Sequence, residues 1–305
     1  MKYSPTTIPR YNDAFWDYQR GRAYNAADLE VGGGEGAIGY QLPSEAEAKF
    51  RKWQDEMNVF RRISTVVYTD VSGKKINIVP PTGPAAFVVE NGIIPEEDVS
   101  FLSYTVESRK ITKIAKVSTE LVRDAGFDIV AALASDFGRE FGKAEEQACV
   151  GGDGVTQPYG IIHETEGAEV GVTVTGNLTF DNAKALFFSL GAEYRRNAVW
   201  LMSDETAMYL RTLKDGNGAY LWRDFDDTIL SRPVFTSPYM PGIGSGVKPI
   251  LFGDFRYYWL IEGGSITLQP LHEKYARSGV TGFFGIEFVD GRLLRKEAVK
   301  ALAIT

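Results

Sequence analysis

The amino-acid sequence predicts an α+β fold with irregular, protruding segments. A stretch near residues 127–150 carries apolar side chains at helical spacing, and residues 72–117 contain two long β-rich stretches. Several shorter strands are predicted after residue 197. The 305 residues can form a sizeable core, because 44% of them are hydrophobic and only 24% are charged.

The charge balance disfavours several classes of function. Lys and Arg number 33 against 40 Asp and Glu, which gives a formal net charge of -7. Tight, sequence-independent binding of duplex DNA depends on clustered cations, so this balance disfavours such a binder and also a membrane-surface protein. No apolar stretch reaches the ~20 residues that cross a bilayer, and no signal peptide is evident. We expect a soluble protein that is not exported by that route.

The few cysteine and histidine residues restrict the available chemistry. Cys149 is the single cysteine, which excludes an internal disulfide and a thiolate-rich zinc site, and we expect it to be a buried structural thiol. His163 and His272 are the two histidines, and no catalytic motif accompanies either. We therefore expect histidines at the surface or hydrogen-bonded in loops, no catalytic residues, no metal and no cofactor.

Residues 1–43 are predicted to form an arm. They mix aromatic residues with arginines and a glycine run, without a sustained helical or strand period, so we expect the arm to lie on another surface. Its segment Gly34-Glu-Gly-Ala-Ile-Gly39 matches the dinucleotide-binding fingerprint, which requires a helix directly after it. Pro43 prevents that helix. A cytosolic nucleotide-cofactor enzyme is thus a distant alternative.

A short helix and a long hairpin are predicted next. Ser44 is a candidate N-cap for an amphipathic helix that ends near residue 60, and a β-rich run follows at 63–68. Residues 72–117 then alternate as two extended strands around the turn Asn91-Gly-Ile-Ile-Pro95. An isolated two-stranded ribbon is marginal in water, so this hairpin needs a partner surface. The candidate contact residues at its tip are Phe87, Val88, Asn91, Ile93, Ile94 and Pro95.

The C-terminal two thirds combine capped helices with short strands. A short helix over 118–124 precedes the long helix, which ends at Gly151-Gly152, and Thr179 and Ser203 are predicted to cap two further helices. The acidic pair Glu145-Glu146 is assigned to a solvated face, as are the acidic runs at 96–98 and 226–227. Strands are predicted at 198–202, 233–236, 249–252, 257–261, 265–269, 283–289 and 298–304.

The order of these elements resembles the major capsid protein of tailed bacteriophages, the Hong Kong 97 fold. The resemblance covers about residues 35–305. It rests on four segments and a glycine pair, Gly263-Gly264. The segments are Gly39-Tyr-Gln-Leu-Pro43, Asn91-Gly-Ile-Ile-Pro95-Glu, Gly151 to Ile161 with Gly154, Pro158 and Gly160, and Leu251 to Phe255 with Gly253 and Asp254.

The resemblance implies a division of the chain into four parts. Residues 1–43 would form the N-terminal arm and 68–117 an extended E-loop. The P-domain, discontinuous in sequence, would contain the long helix of 127–150 as its spine. Its segments would be 44–67, 118–175 and 263–305, and the A-domain would be 176–262.

The same resemblance implies a structural protein. Such subunits assemble through hexamers and pentamers into an icosahedral shell around double-stranded phage DNA, without sequence-specific DNA binding. Expected partners are further copies of the chain, a portal, a scaffolding protein or protease, and decoration proteins. The shell would be the virion capsid, assembled in the host bacterial cytoplasm. An encapsulin-like nanocompartment shell is the alternative within the same fold.

The short N-terminal segment leaves one question open. Family members that assemble without a separate scaffold carry a long charged helical segment before the arm, whereas about forty residues precede the core here. Either another protein supplies the scaffold or the chain has already been trimmed.

We predict a shell without covalent crosslinks. The covalently crosslinked family member joins a tip lysine to an asparagine of the neighbouring P-domain, but this chain has no lysine between Lys75 and Lys110. Residues 271–284 contain no asparagine. Particles boiled in denaturant should therefore run as a single monomer band in gel electrophoresis, and a crosslinked ladder would refute the prediction.

Overall fold

The computed structural model describes residues 5–30, 39–69, 75–78, 87, 102–124, 128–222 and 227–305. The helices within these ranges are α1 (Pro9–Gln19), α2 (Ala26–Leu29), α3 (Ser44–Met57), α4 (Val59–Ile63), α5 (Thr119–Arg123), α6 (Ile129–Gly151), α7 (Phe180–Ser189), α8 (Ala192–Arg195) and α9 (Asp204–Thr212). The strands are β1 (Tyr40–Gln41), β2 (Thr65–Thr69), β3 (Lys75–Ile78), β4 (Leu102–Thr105), β5 (Arg109–Ser118), β6 (Glu169–Val174), β7 (Val199–Met202), β8 (Thr228–Ile229), β9 (Arg232–Thr236), β10 (Ile250–Gly253), β11 (Tyr258–Gly263), β12 (Thr267–Leu271), β13 (Val280–Leu293) and β14 (Val299–Ile304).

A first six-stranded sheet is built around the long strand β13. Its order is β1-β12-β13-β11-β2, and β5 also pairs with β13, antiparallel from Val280↔Ser118 to Val289↔Arg109. On its other edge β13 pairs with β12 and then with β11, from Val289↔Glu262 to Leu293↔Tyr258. Helices α1, α3 and α6 pack with this sheet around Phe15, Phe50 and Phe283. This sheet and its helices form the base from which the hairpin leaves.

A second six-stranded sheet has the order β6-β14-β10-β7-β9-β8. Helices α7 and α9 contribute to its core, in which Trp200 and Phe252 are fully buried with their ring centroids 4.2 Å apart. Thr179 caps α7 in a reciprocal capping box with Asn182, and Ser203 caps α9, as predicted. The strands predicted at 198–202, 233–236, 249–252 and 298–304 are confirmed as β7, β9, β10 and β14 of this sheet.

Close packing of α3 on α6 depends on two glycines. The predicted long helix is confirmed as the 23-residue α6, with Asp128 accepting a hydrogen bond from the amide of Ala131 as its cap. A Cβ on Gly138 would lie 2.5 Å from the Phe50 carbonyl oxygen, and one on Gly142 would lie 2.9 Å from that of Gln54. The two helices approach closely because neither position carries a side chain.

The N-terminal segment departs from the prediction of an arm that lies on another surface. Residues Pro9–Gln19 are helical, and Tyr11, Phe15 and Trp16 are buried on the same chain. The Tyr11 hydroxyl donates to the Gln41 carbonyl at 2.6 Å. Tyr11, Phe15 and Tyr18 recur at helical spacing, and a proline in the first turn favours helix formation. The helix thus buries its rings in its own subunit.

The start of α3 also differs from the prediction. The helix begins at Ser44 itself, Pro43 occupies the N-cap position, and no side chain caps the helix. The helix ends at Met57, earlier than expected, because Asn58 leaves the helical conformation. The Asn58 side chain accepts from the amide of Phe60 and so caps α4.

The predicted return strand of the hairpin is split in two. Only β4 pairs with β3, from Lys75↔Thr105 to Ile78↔Leu102, while β5 belongs to the first sheet. Apolar side chains of β5, including Ile111 and Val117, pack into the core beside α6, which explains why this part of the stretch stays with the sheet. The two-stranded ribbon therefore separates from the sheet near residue 108.

Substitution of Gly138 by alanine should be destabilising. The added methyl group would overlap the Phe50 carbonyl and the Trp53 Cβ, at 2.5 and 2.8 Å, so we expect a loss of about 1–3 kcal/mol in the free energy of unfolding. Gly151→Ala is the matched control, since nothing lies within 4 Å of a Cβ there. Urea unfolding of both variants tests this, and equal stabilities would contradict the packing.

Candidate functional site

The root of the hairpin, residues 102–109, is held by one buried carboxylate, Asp290 on β13. The Tyr104 hydroxyl donates to Asp290 Oδ2 at 2.6 Å and the Glu107 amide donates to the same oxygen at 2.8 Å. Arg109 forms a close ion pair with Oδ1 through its Nη1. Asp290 thus contacts β4, the connecting turn and the start of β5, so a single side chain fixes the point where the hairpin leaves the sheet.

The strand register explains why the Asp290 side chain can contact the hairpin root. Pairing of β5 with β13 ends at Val289↔Arg109, so the chain turns away from the sheet beside Asp290. Burial raises the pKa of Asp290, while its hydrogen bonds and Arg109 oppose that rise. Burial and the hydrogen bond to Asp290 also raise the pKa of Tyr104. The hydroxyl therefore keeps its proton and remains a donor.

The glycine-rich loop predicted from sequence lies against the same root. Arg109 donates through Nη2 to the Gly154 carbonyl. Gly154 has φ +71, and a Cβ there would lie 2.1 Å from the Tyr159 ring. The Gly160 amide donates to the Gly152 carbonyl at 3.0 Å. A Cβ on Gly291 would lie 3.3 Å from Pro158. The predicted residues Gly154, Pro158 and Gly160 therefore lie in one loop, which contacts the hairpin root through Arg109.

The second predicted motif has a different place in the fold. Gly253 ends β10, where a Cβ would lie 2.4 Å from the Ala298 carbonyl oxygen. Asp254 caps a short 3-10 turn and pairs with Arg256 at 2.6 Å. Phe255 is buried with its ring edge toward Phe60. These three residues close the packing of the second sheet and do not reach the hairpin root.

A buried charge cluster, which the sequence analysis did not identify, lies on the other face of the first sheet. Glu145 of α6 accepts from Arg61 Nε at 2.6 Å and from Asn58 at 2.8 Å. Arg61 Nη2 also lies 2.5 Å from Glu262 of β11. Arg51 of α3 approaches Glu262 at 3.1 Å and pairs closely with Glu287 of β13. The cluster thereby joins three helices to two strands.

The assignment of Glu145 and Glu146 to a solvated face was wrong. Glu145 is 0% and Glu146 1% exposed, because this part of α6 is surrounded by α4, the first sheet and the segment around Ser237. The two adjacent carboxylates point to different partners. Glu146 accepts from the Val59 amide at 3.1 Å and from the Ser237 hydroxyl, so each is satisfied separately.

The cluster holds three carboxylates against two guanidinium groups, so negative charge is in excess. Burial raises the pKa of Glu262 to about 7, although Arg61 and Arg51 oppose the rise. Burial likewise raises the pKa of Glu145, against the effect of Arg61. Within the described residues, neither oxygen of Glu262 receives a well-aligned hydrogen bond. Burial therefore favours the protonated form of Glu262 near neutral pH.

The comparisons with known proteins agree with this architecture. The profile of the phage capsid family matches residues 38–304. The chain belongs to the phage capsid family. It is thus a major capsid protein, a structural subunit of a capsid shell.

Solved capsid structures resemble this capsid protein over most of its length. The capsid of an empty GTA particle has a TM-score of 0.72 at 26% identity, over 82% of this chain and 90% of that chain. The capsid of the native GTA particle has a TM-score of 0.67 at 23% identity, over 92% and 99% of the two chains. A Gordonia phage Cozz structure has a TM-score of 0.59 at 10% identity, over 82% and 87%. No curated protein sequence matched.

The remaining predicted site residues fall mostly outside the described ranges. Phe87 is described and is fully exposed, whereas the other tip residues, Val88, Asn91, Ile93, Ile94 and Pro95, lie outside the described residues. Gly39, which ends the glycine fingerprint, leads into β1 and not into a helix.

The histidines and the cysteine have structural environments. His163 Nδ1 accepts from the Glu166 amide at 3.2 Å, and His272 lies beside the Tyr18 carbonyl. Cys149 is fully buried, which confirms the prediction of a buried structural thiol, and burial raises the pKa of this thiol. The described residues contain no cluster suited to a metal ion, and none of their helices is long and apolar enough to cross a membrane.

The raised pKa of Glu262 predicts a pH-dependent stability. Its pKa rises from 4.5 to about 7 on folding, so protonation of Glu262 stabilises the folded state. This contribution to the free energy of unfolding is fully present below pH 4.5 and is lost as the pH rises through 7. The contribution is at most about 3 kcal/mol. In urea unfolding, the free energy of unfolding of Glu262→Gln should therefore fall less between pH 5 and pH 8 than that of the wild type.

Glu169→Gln is the control for this prediction, because Glu169 lies at the surface beside Lys300. That variant should follow the wild-type pH dependence. If Glu262→Gln also follows it, Glu262 does not titrate in this range and the assignment is wrong.

Proposed function

We propose that this capsid protein assembles through hexamers and pentamers into an icosahedral shell that encloses double-stranded DNA, and that the hairpin tip supplies a contact between subunits. The hairpin carries this proposal. Strands β3 and β4 pair with each other and with neither six-stranded sheet, and Phe87 is fully exposed. A ribbon of two strands is marginal alone, so a neighbouring copy is the partner that stabilises it.

The composition of the tip fits an apolar contact. Phe87, Val88, Ile93 and Ile94 would each contribute about 1.5–3 kcal/mol if buried against a neighbour. Head-to-tail contacts that close into rings, repeated over a shell, give high total affinity from modest single interfaces. In the sequence, Asn91 and Pro95 are residue types that favour turns.

The division of the chain implied by the family resemblance is part of the proposal. Residues 68–117 act as the E-loop, with the qualification that 109–117 also pair with β13. Residues 44–67, 118–175 and 263–305 act as the P-domain. Residues 176–262 act as the A-domain, around the axes of hexamers and pentamers.

The enclosed DNA is held without tight binding. A net charge of -7 leaves the inner wall without a general excess of cations, so duplex DNA can move along it during packaging. The subunit performs no catalysis, and its partners are other copies, a portal, a scaffolding protein or protease, and decoration proteins. Assembly takes place in the cytoplasm of a host bacterium.

Ile94→Asp tests the tip contact. The charge would be buried in an apolar interface, so we expect free capsomers or subunits in place of shells in negative-stain images. Ile94→Val keeps the contact and serves as the matched control, with shells of wild-type diameter. Uniform shells from Ile94→Asp would show that the tip is not a contact.

A further inference from the structure

Asp290 contacts the hairpin root on both sides of the turn that connects β4 to β5. Asp290 is 1% exposed and belongs to β13, the strand around which the first sheet is built. It contacts Tyr104 from one side of the connecting turn and Arg109 from the other, and accepts from the amide of Glu107 between them. Three contacts that come from both ends of a short segment fix its direction as well as its position.

The same carboxylate is itself held in one orientation. The Gly291 amide donates to Asp290 Oδ1 at 2.9 Å, so Oδ1 faces Arg109 while Oδ2 faces Tyr104 and Glu107. Because each oxygen is assigned to different partners, a rotation of the hairpin about its root would break a hydrogen bond to a charged group. Such bonds are stronger than those between neutral groups.

A second set of contacts braces this arrangement from the side. Arg109 also contacts the Gly154 carbonyl, and the Arg292 guanidinium lies 5.0 Å from the ring centroids of both Tyr104 and Tyr159. Arg292 is in turn paired with Glu166. The hairpin root is therefore tied to the glycine-rich loop as well as to the sheet.

Internal hydrogen bonds hold the conformation of this loop, and its tip is exposed. Asp153 Oδ1 accepts from the amides of Val155, Thr156 and Gln157, each at 2.9 Å. Val155 at its tip is 79% exposed. Two protruding segments, the hairpin and the 153–157 loop, thus leave the subunit from a single hydrogen-bonded junction, although some fifty residues separate them in sequence.

We propose that Asp290 is the positioning residue that sets the direction in which the hairpin leaves the subunit, and that this direction determines the curvature of the shell. The proposal rests on the proposed function, because it assigns the hairpin a neighbouring copy as its target. A hairpin free to swing would meet neighbours at variable angles. Subunits with a loosened root would therefore still associate, but into particles of mixed size or open sheets.

Two variants and one control test this inference. Asp290→Asn removes the charge with little change of shape, and Tyr104→Phe removes one donor only, which keeps the test valid if Asp290→Asn fails to fold. Asp136→Asn is the control, because Asp136 lies on the surface of α6 and pairs with Lys113 of β5, outside the hairpin root. Each variant is examined for hydrogen exchange in the unassembled subunit and for particle shape in negative stain.

We expect the Glu107 amide to exchange about tenfold faster in Asp290→Asn and in Tyr104→Phe, with amides of the cores unchanged, since a hydrogen bond to a charged group is lost or weakened. The same two variants should give particles of mixed diameter, while Asp136→Asn gives uniform shells.

Two outcomes would overturn the inference: unchanged exchange at Glu107, or faster exchange with shells as uniform as those of the wild type. Failure of the wild-type protein itself to form shells would instead count against the proposed function.

Discussion

A two-stranded ribbon buries too little apolar surface to be stable by itself, and this constraint organises the rest of the capsid protein. Its root must be fixed by the subunit, and for its far end we propose a contact with another molecule. The subunit provides the first of these through Asp290, which gathers Tyr104, Glu107 and Arg109 at the end of the β5–β13 ladder. For the second, we propose a neighbouring copy of the chain.

Buried charges lie on both faces of the sheet at this junction. In the pairing of β11 with β13, Asp290 lies opposite Ile261, and the adjacent residue pair is Glu262 with Val289. Successive residues of a strand point to opposite faces, so Asp290 meets the hairpin while Glu262 meets the arginines of α3 and α4. Buried ionic groups tolerate few alternative partners, so they specify one arrangement of helices, sheet and hairpin.

Much of the fold could be predicted because it depends on local pattern. The apolar spacing of Leu133, Phe137 and Phe141 predicts α6, and the hydroxyls of Thr179 and Ser203 mark the helices that they cap. The family resemblance then followed from the order of such elements. The α1 helix was missed because its aromatic period is short and is interrupted by polar residues.

The buried site could not be predicted in the same way, because its partners are far apart in sequence. Glu145 and Arg61 are 84 positions apart, and Asp290 and Tyr104 are 186 apart. One signal was available: Glu262 and Glu287 stand within strongly apolar strands, where a carboxylate needs a buried partner. The sequence does not indicate which arginine meets them.

The contact of the hairpin tip with a neighbouring copy can be tested with a photo-crosslinking amino acid at position 93, activated in assembled particles and analysed by denaturing electrophoresis and peptide mapping. If the tip binds a neighbouring copy, we expect adducts that join two different copies of the chain. Adducts within a single copy, with no intermolecular product, would mean that the hairpin tip folds onto its own subunit and that no neighbouring copy binds it.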